Sequence, residues 1–251
     1  MQRNLKLTIA YDGHDFSGWQ IQPDRPTIQG ILVSVIEHLT GEITLPQGSG
    51  RTDAGVHALA QVASVSIQSS IPLLNFRRAL NDLLPAAIRI LSVEQVPPEF
   101  HARKSAVAKT YQYRIHRAEV CPPFLSRYVY HHPYPLNEAL MIDAARVILG
   151  EHDFTSFAAV DPERKKEDLE MNHVRAIFSS TWRRHGEELV YTVRGSGFLH
   201  HMVRNLVGTF LMVGKGNVSL LDLQRILEAR DRSAASATAP ASGLFLLGVE
   251  Y

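Results

Sequence analysis

The sequence predicts an α+β protein with a largely antiparallel sheet. Three observations predict it. The first half of the chain reads strand, helix, strand, helix, strand. The second half echoes that succession loosely, with no alignable repeat. Residues 173–197, HVRAIFSSTWRRHGEELVYTVRGSG, read as a hairpin turning near His185-Gly186, and a hairpin is an antiparallel pair. Hairpins and irregular alternation argue against a parallel doubly wound sheet.

The elements follow in order. LKLTIAYDG (5–13) sets Leu5, Leu7, Ile9 and Tyr11 against Lys6, Thr8 and Ala10, the period of a half-buried strand, and Asp12-Gly13 turns the chain. After the loop FSGWQIQP, Thr27 is placed to cap a helix that carries Ile28, Ile31, Leu32, Val35, Ile36 and Leu39 at helical spacing. Gly41 stops it. ALAQVASVSI (58–67) is short, apolar and valine-rich, as a buried strand should be. Residues 72–84 form a second helix, begun by Pro72, with Leu73, Phe76, Leu80 and Leu83/Leu84 inward and Arg77-Arg78 outward. IRILSVEQV is a strand, and Pro97-Pro98 marks the end of the first half, which gives domains at 1–100 and 101–251.

The second half opens on HARKSAVAKTYQYRIHR (101–117), with Arg103, Lys104, Lys109, Arg114 and Arg117 and no acid. From Lys109 it alternates, so Tyr111, Tyr113 and Ile115 share one face. Basic and aromatic residues interleaved on a strand suit phosphates and bases. The same pattern also suits tyrosines packed on a core with solvated arginines outside. Residues 121–135 are a proline-rich connection, and NEALMIDAARVILGEHDF is a helix from Leu136 or Asn137 to Gly150. PERKKEDLEMN (162–172) reads as an exposed loop whose Arg164-Lys165-Lys166 could touch RNA. Residues 199–213 form a helix with Leu199, Val203, Leu206, Phe210 and Val213 as its apolar stripe. Arg204 lies off that stripe, in register with His200 and Gly208. APASGLFLLGVEY ends in a short apolar strand.

The totals narrow the function classes. The chain has 251 residues, 45% hydrophobic and 20% charged, so it can build a real core. Its single cysteine, Cys121, rules out an internal disulfide or a cysteine-based zinc cluster. MQRNLKLTIAYDG lacks the apolar run of a signal peptide, and the most apolar stretch, 198–213, carries His200, His201, Arg204 and Asn205 and makes a poor membrane span. A cytoplasmic protein is expected. The net charge of +1 gives no global sign of nucleic-acid binding, so that argument must be local.

The chain is organised around GSGRTDAGVHA (48–58), where Gly48, Gly50 and Gly55 bracket Arg51, Thr52 and Asp53. Such a loop can present one arginine and one carboxylate at its tip. A Walker A loop would need Lys-Ser or Lys-Thr where this one has Val56-His57, and a dinucleotide fingerprint would open a helix rather than a strand. An ordinary tight turn, with Asp53 bonding nearby N–H groups, remains the alternative.

The loop resembles the active-site motif of the TruA family of tRNA pseudouridine synthases. The resemblance extends in order through YDGHDFSGWQIQP, TIQGILVSVIEHLTG, GSGRTDAGVHALAQVA, FHARKSAVAKTYQYRI, HDFTSF, GFLHHMVRNLVGTFLMVGKG and TAPASGLFLLGVEY. His14 and Ser236 depart from it. The resemblance implies two RNA-recognition-like (ferredoxin-like) α+β halves sharing an extended sheet, with helices on one side and a central cleft. It implies a homodimer that isomerises uridines 38, 39 and 40 of the tRNA anticodon stem-loop. It implies that Asp53 is the catalytic residue and that Arg51 helps displace the target base. It further implies that Tyr111 packs on the uracil and that Arg204 pairs with the aspartate.

The chemistry fits those residue types. The product is an isomer, so no redox cofactor or energy source is needed, and no cofactor or metal site is expected. A carboxylate can attack the sugar or remove a proton from it, and either route needs Asp53 ionised beside a cation. Three other classes compete. An RNA-binding protein without catalysis explains 101–117 but not the loop. A glycoside or nucleoside hydrolase would need a second carboxylate, for which Asp12, Asp15 and Asp153 are the candidates. A metal hydrolase fits least, since His131-His132 and His200-His201 lack HExxH spacing.

Overall fold

The computed structural model describes residues 2–160 and 172–251. The charged loop expected at 162–172 lies outside the described residues, apart from Asn172. The first elements are β1 (Arg3–Tyr11), α1 (Ile28–Thr40), β2 (Gln47–Gly48), β3 (His57–Ile67), α2 (Leu73–Leu83), β4 (Ile88–Val96) and β5 (Ala108–His116). They are followed by β6 (Tyr130–His131), α3 (Glu138–Val147), β7 (Gly150–Asp153), β8 (Val174–His185), β9 (Glu188–Gly195), α4 (Met202–Gly214), α5 (Leu220–Ala229) and β10 (Leu244–Glu250). The chain is α+β and its strand pairings are mostly antiparallel. Among the described residues no helix is long and apolar enough to cross a membrane.

The chain divides into two compact units, Met1–Lys109 with Phe245–Tyr251, and Thr110–Leu244. In the first, the strands run in the order β4, β1, β3, β10, with β2 also on β3. β1 is antiparallel to β3, with Leu5 opposite Val65 and Leu7 opposite Ala63, and antiparallel to β4 on its other side. β10 pairs with β3 in parallel, Phe245 opposite His57. Leu5, Leu7, Ile9 and Tyr11 are buried, as the alternation of β1 requires. Ile28, Leu32 and Ile36 of α1 and Phe76 and Leu80 of α2 are buried with them. Thr27 caps α1 by accepting from Gly30 N at 3.2 Å, and Gly41 closes it in the left-handed conformation.

In the second unit the strands run β5, β9, β8, β7, and β6 pairs in parallel with β5. The β8–β9 hairpin pairs His185 with Glu188 across Gly186. Trp182, Tyr191 and Phe210 form the aromatic centre, with Trp182 and Tyr191 centroids 4.9 Å apart and those of Tyr191 and Phe210 5.4 Å apart. The Tyr191 hydroxyl is 2.8 Å from Ser180 Oγ, and burial pushes its pKa up, so it stays protonated.

Three features differ from the sequence reading. The helix expected to run to Gly150 ends at Val147, and Gly150 instead begins β7. The helix expected from residue 199 starts at Met202, because His201 takes a left-handed backbone (φ 58°) as its N-cap. His200 and His201 therefore precede the helix, and their rings lie 4.0 Å apart. α5 went unassigned in the sequence. It is fixed by a capping box in which Ser219 Oγ accepts from Asp222 N at 3.1 Å and the Asp222 carboxylate accepts from Ser219 N at 3.2 Å. Ser219→Ala is expected to lower stability by about 1 kcal/mol, read as an earlier urea midpoint at unchanged m-value.

Candidate active site

Asp53 and Arg51 belong to the first unit, and Tyr111 and Arg204 to the second. The loop carrying Asp53 is clamped from both sides of the chain. The segment that follows β1 lies against it, backbone to backbone. Trp19 N donates to Thr52 O at 3.0 Å, and Gly55 N donates to Phe16 O at 3.2 Å. The hydroxyls of Tyr11 and Thr52 meet at 2.7 Å in the interior. Burial raises the Tyr11 pKa to about 12, partly offset by the bonds to Thr52 and Gln61, so this clamp stays neutral at physiological pH. Gly18 sits directly over the loop at φ +92°, and a Cβ there would come within 2.6 Å of Thr52 O.

The other side is held through Gln61 of β3, which is fully buried. Its Oε1 accepts from Ser49 Oγ at 2.7 Å and its Nε2 donates to Gly50 O at 2.9 Å. Lys109 Nζ donates to Ser49 O. Immediately after the loop, His57 is buried and stacks on Phe245, with centroids 4.7 Å apart, and its Nδ1 accepts from Gly13 N at 3.1 Å. Within this frame Val56 N donates to Asp53 O at 3.1 Å and closes a tight turn, with Gly55 at φ +76°. Thr52 points in and Arg51 points out, its Nε donating to Gln20 Oε1 at 3.3 Å. Asp53 lies between them and is half-buried. A carboxylate so placed is backed by a rigid main chain and reachable from solvent.

In the second unit Tyr111, Tyr113 and Ile115 are all buried, as the alternation requires. Tyr113 is packed as a core tyrosine, its hydroxyl donating to Pro240 O at 2.8 Å. Arg114 forms a two-pronged bond to the Glu188 carboxylate, both prongs 2.7 Å, so its fork is spent on the sheet. The packing alternative for 101–117 therefore holds at Tyr113, whereas Arg114 is ion-paired on the sheet rather than solvated. Tyr111 is 7% exposed and meets Phe198 edge to face with centroids 5.0 Å apart.

Arg204 is in the first turn of α4 and is half-buried. Its Nε donates to Ala239 O at 2.8 Å, and Ala239 N donates back to Arg204 O at 3.1 Å. One turn further on, a Cβ on Gly208 would stand 1.9 Å from Ala237 O. So the face of α4 that carries Arg204 is not open. The segment 235–240 crosses it, and of the residues of α4 only Arg204 and Met212 are not buried.

The rival carboxylates have local partners. Asp12 Oδ1 accepts from His14 N at 3.0 Å and lies 3.1 Å from His57 Nδ1. Asp153 accepts from Thr155 N and Thr155 Oγ1 and pairs with Arg230 at 3.2 Å. Sequence reading missed Tyr11, Trp19, Gln61 and His57 as the loop's supports. They sit inside recognised strings, but only tertiary contact shows what each one holds.

The sequence model of a family described as tRNA pseudouridine synthase matches residues 7–103 and 144–251 of this chain. A protein named tRNA pseudouridine synthase A from Solibacter usitatus (strain Ellin6076) is 56% identical over 250 residues, covering 99% of this chain and 100% of its own. Its namesake from Brevibacillus brevis (strain 47 / JCM 6285 / NBRC 100599) is 43% identical over 249 residues, with the same coverage of both chains. A third, from Caldicellulosiruptor bescii (strain ATCC BAA-1888 / DSM 6725 / KCTC 15123 / Z-1320), is 41% identical over 249 residues, again covering 99% and 100%. With matches that run through both units and through the clamped aspartate loop, the chain belongs to the tRNA pseudouridine synthase family, a family of isomerases that act on tRNA uridine.

Proposed function

We propose that this protein converts uridine to pseudouridine at positions 38, 39 and 40 of the tRNA anticodon stem-loop, as a cytoplasmic homodimer, with Asp53 as its catalytic residue. The observation that carries the reading is the loop itself. Asp53 is half-buried on a turn whose main chain is fixed on both sides by buried donors and acceptors. Catalysis by a single carboxylate needs that kind of preorganisation.

The reaction breaks the bond between uracil N1 and ribose C1′ and forms one between C5 and C1′. The C5 proton is lost and N1 regains one, so atoms balance with no co-reactant. Asp53 either adds to C1′ or takes a sugar proton, and both routes use its ionised form. Arg204 supplies positive charge that favours that form. Arg51, exposed beside Asp53, takes the place of the base as it leaves the stack. Flipping costs roughly a few kcal/mol, and stacking on Tyr111 returns about 1–3 kcal/mol of it.

The test is pseudouridine mapping of unmodified tRNA transcripts incubated with the purified protein, with neither metal nor nucleotide added. Pseudouridine confined to positions 38–40 is the expected result. Modification elsewhere in the tRNA would overturn the positions. Release of free uracil would put a hydrolase in the synthase's place.

A further inference from the structure

Asn205 follows Arg204 on α4 and is fully buried. A buried amide is tolerated only when its donors and acceptor are met. Its Nδ2 donates to Phe157 O at 2.7 Å. Its Oδ1 accepts from Thr238 Oγ1 at 2.7 Å and from Arg232 Nη2 at 3.0 Å. Arg232 also donates to Ala235 O at 3.2 Å and reaches Thr238 Oγ1 at 3.3 Å. Thr209, one turn beyond Asn205, donates to Asn205 O at 3.0 Å and accepts from Ser236 N at 3.3 Å. These bonds fasten the irregular segment 232–239 to one helix at several points, next to the place where Ala239 O takes the Nε–H of Arg204.

We propose that Asn205, Arg232 and Thr238 form a positioning cluster for Arg204. They hold the 235–240 strap across α4 so that the Ala239 carbonyl sets the direction of the Arg204 guanidinium. The physical reason is the shape of the group. A guanidinium is planar with its donors in a fixed fork, so fixing one N–H fixes the plane of all five. Gly208 belongs to the same device, since the strap's close approach at Ala237 O leaves no room there for a side chain. An apolar side chain at 205 would fill the space but would leave the strap's register to packing alone. The inference rests on the assignment of Arg204 as the supporting cation.

Thr238→Val removes the hydroxyl at nearly constant shape. It is expected to lower kcat by about tenfold while KM for tRNA stays within about twofold, because the lost interaction matters in the transition state rather than in substrate binding. Thr238→Ser, which restores the hydroxyl, is expected to recover kcat. In an Arg204→Lys background, where the fork is gone, Thr238→Val should change kcat by less than about twofold, since residues acting through one another are non-additive. An unchanged kcat in Thr238→Val would overturn the proposal. So would equal factors in both backgrounds, which would mark the cluster as a structural clasp. If wild type forms pseudouridine but Thr238→Val leaves kcat unchanged, this inference alone fails. If wild type forms none, the reading of Arg204 fails with it.

Discussion

Asp53→Asn is expected to abolish pseudouridine formation, with turnover falling by more than about 10⁴-fold, the scale on which removal of a reacting group is felt. tRNA affinity should stay within about threefold. The two expectations separate because the loop and the carboxylate depend on different atoms. Thr52 Oγ1, Thr52 O, the N–H of Gly55 and the carbonyl of Gly50 hold the loop in place, and the Asp53 carbonyl closes the turn. Asparagine keeps the size and the turn and removes only the negative charge. Binding draws on the phosphate backbone through cations elsewhere and should hardly register one neutralised carboxylate. An Asp53→Ala arm guards against slow deamidation restoring the acid. The measurement is pseudouridine yield per enzyme beside filter binding on the same transcript. Appreciable turnover in a clean Asp53→Ala preparation would return Asp53 to the role of a turn residue. Loss of binding and turnover together would instead mean that the charge shapes the loop.

How much was legible depends on the range of the forces involved. β1 and α1 were readable because local pattern decides them. The period-two apolar set of β1 and the Thr27 and Gly41 caps of α1 lie within a few residues of what they control. α5 carried a readable signal too, Ser219 three residues before Asp222 with Leu223 and Leu227 buried behind it. α4 was read as amphipathic because its apolar stripe was visible. The strap that covers its other face is irregular chain and has no period to detect. The same limit applies at the site. Asp53 and Arg51 stand out on a glycine-framed loop. The clamp of Tyr11 on Thr52 joins residues 41 positions apart and leaves no local trace. Likewise, nothing in LFLLGVE says that β10 pairs in parallel with β3.

The second large effect is expected at Gly13, on steric grounds alone. Gly13 does not have a positive φ, so alanine is not excluded by backbone conformation. A Cβ there would stand 1.9 Å from Val56 O and 2.6 Å from Val56 C. Neither partner is a flexible side-chain end. Val56 is buried and donates its N–H to Asp53 O, and His57 behind it is stacked on Phe245 and bonded to the N–H of Gly13 itself. Relief must therefore move either the 12–19 segment or the Asp53 turn, and each is tied to the other at Trp19–Thr52 and Phe16–Gly55. Gly13→Ala is expected to cost about 2–4 kcal/mol of stability. The surviving folded fraction should show a kcat lower by about a hundredfold, as a displacement of about 1 Å at a reacting group would produce. Gly248→Ala is the control, since an added Cβ meets nothing within 4 Å, and its effect should stay within about 0.5 kcal/mol. Urea unfolding and single-turnover kinetics on both variants decide the matter. Wild-type stability and kcat in Gly13→Ala would show that the Asp53 turn can shift freely, and the preorganisation proposed for the Asp53 carboxylate would fall with it.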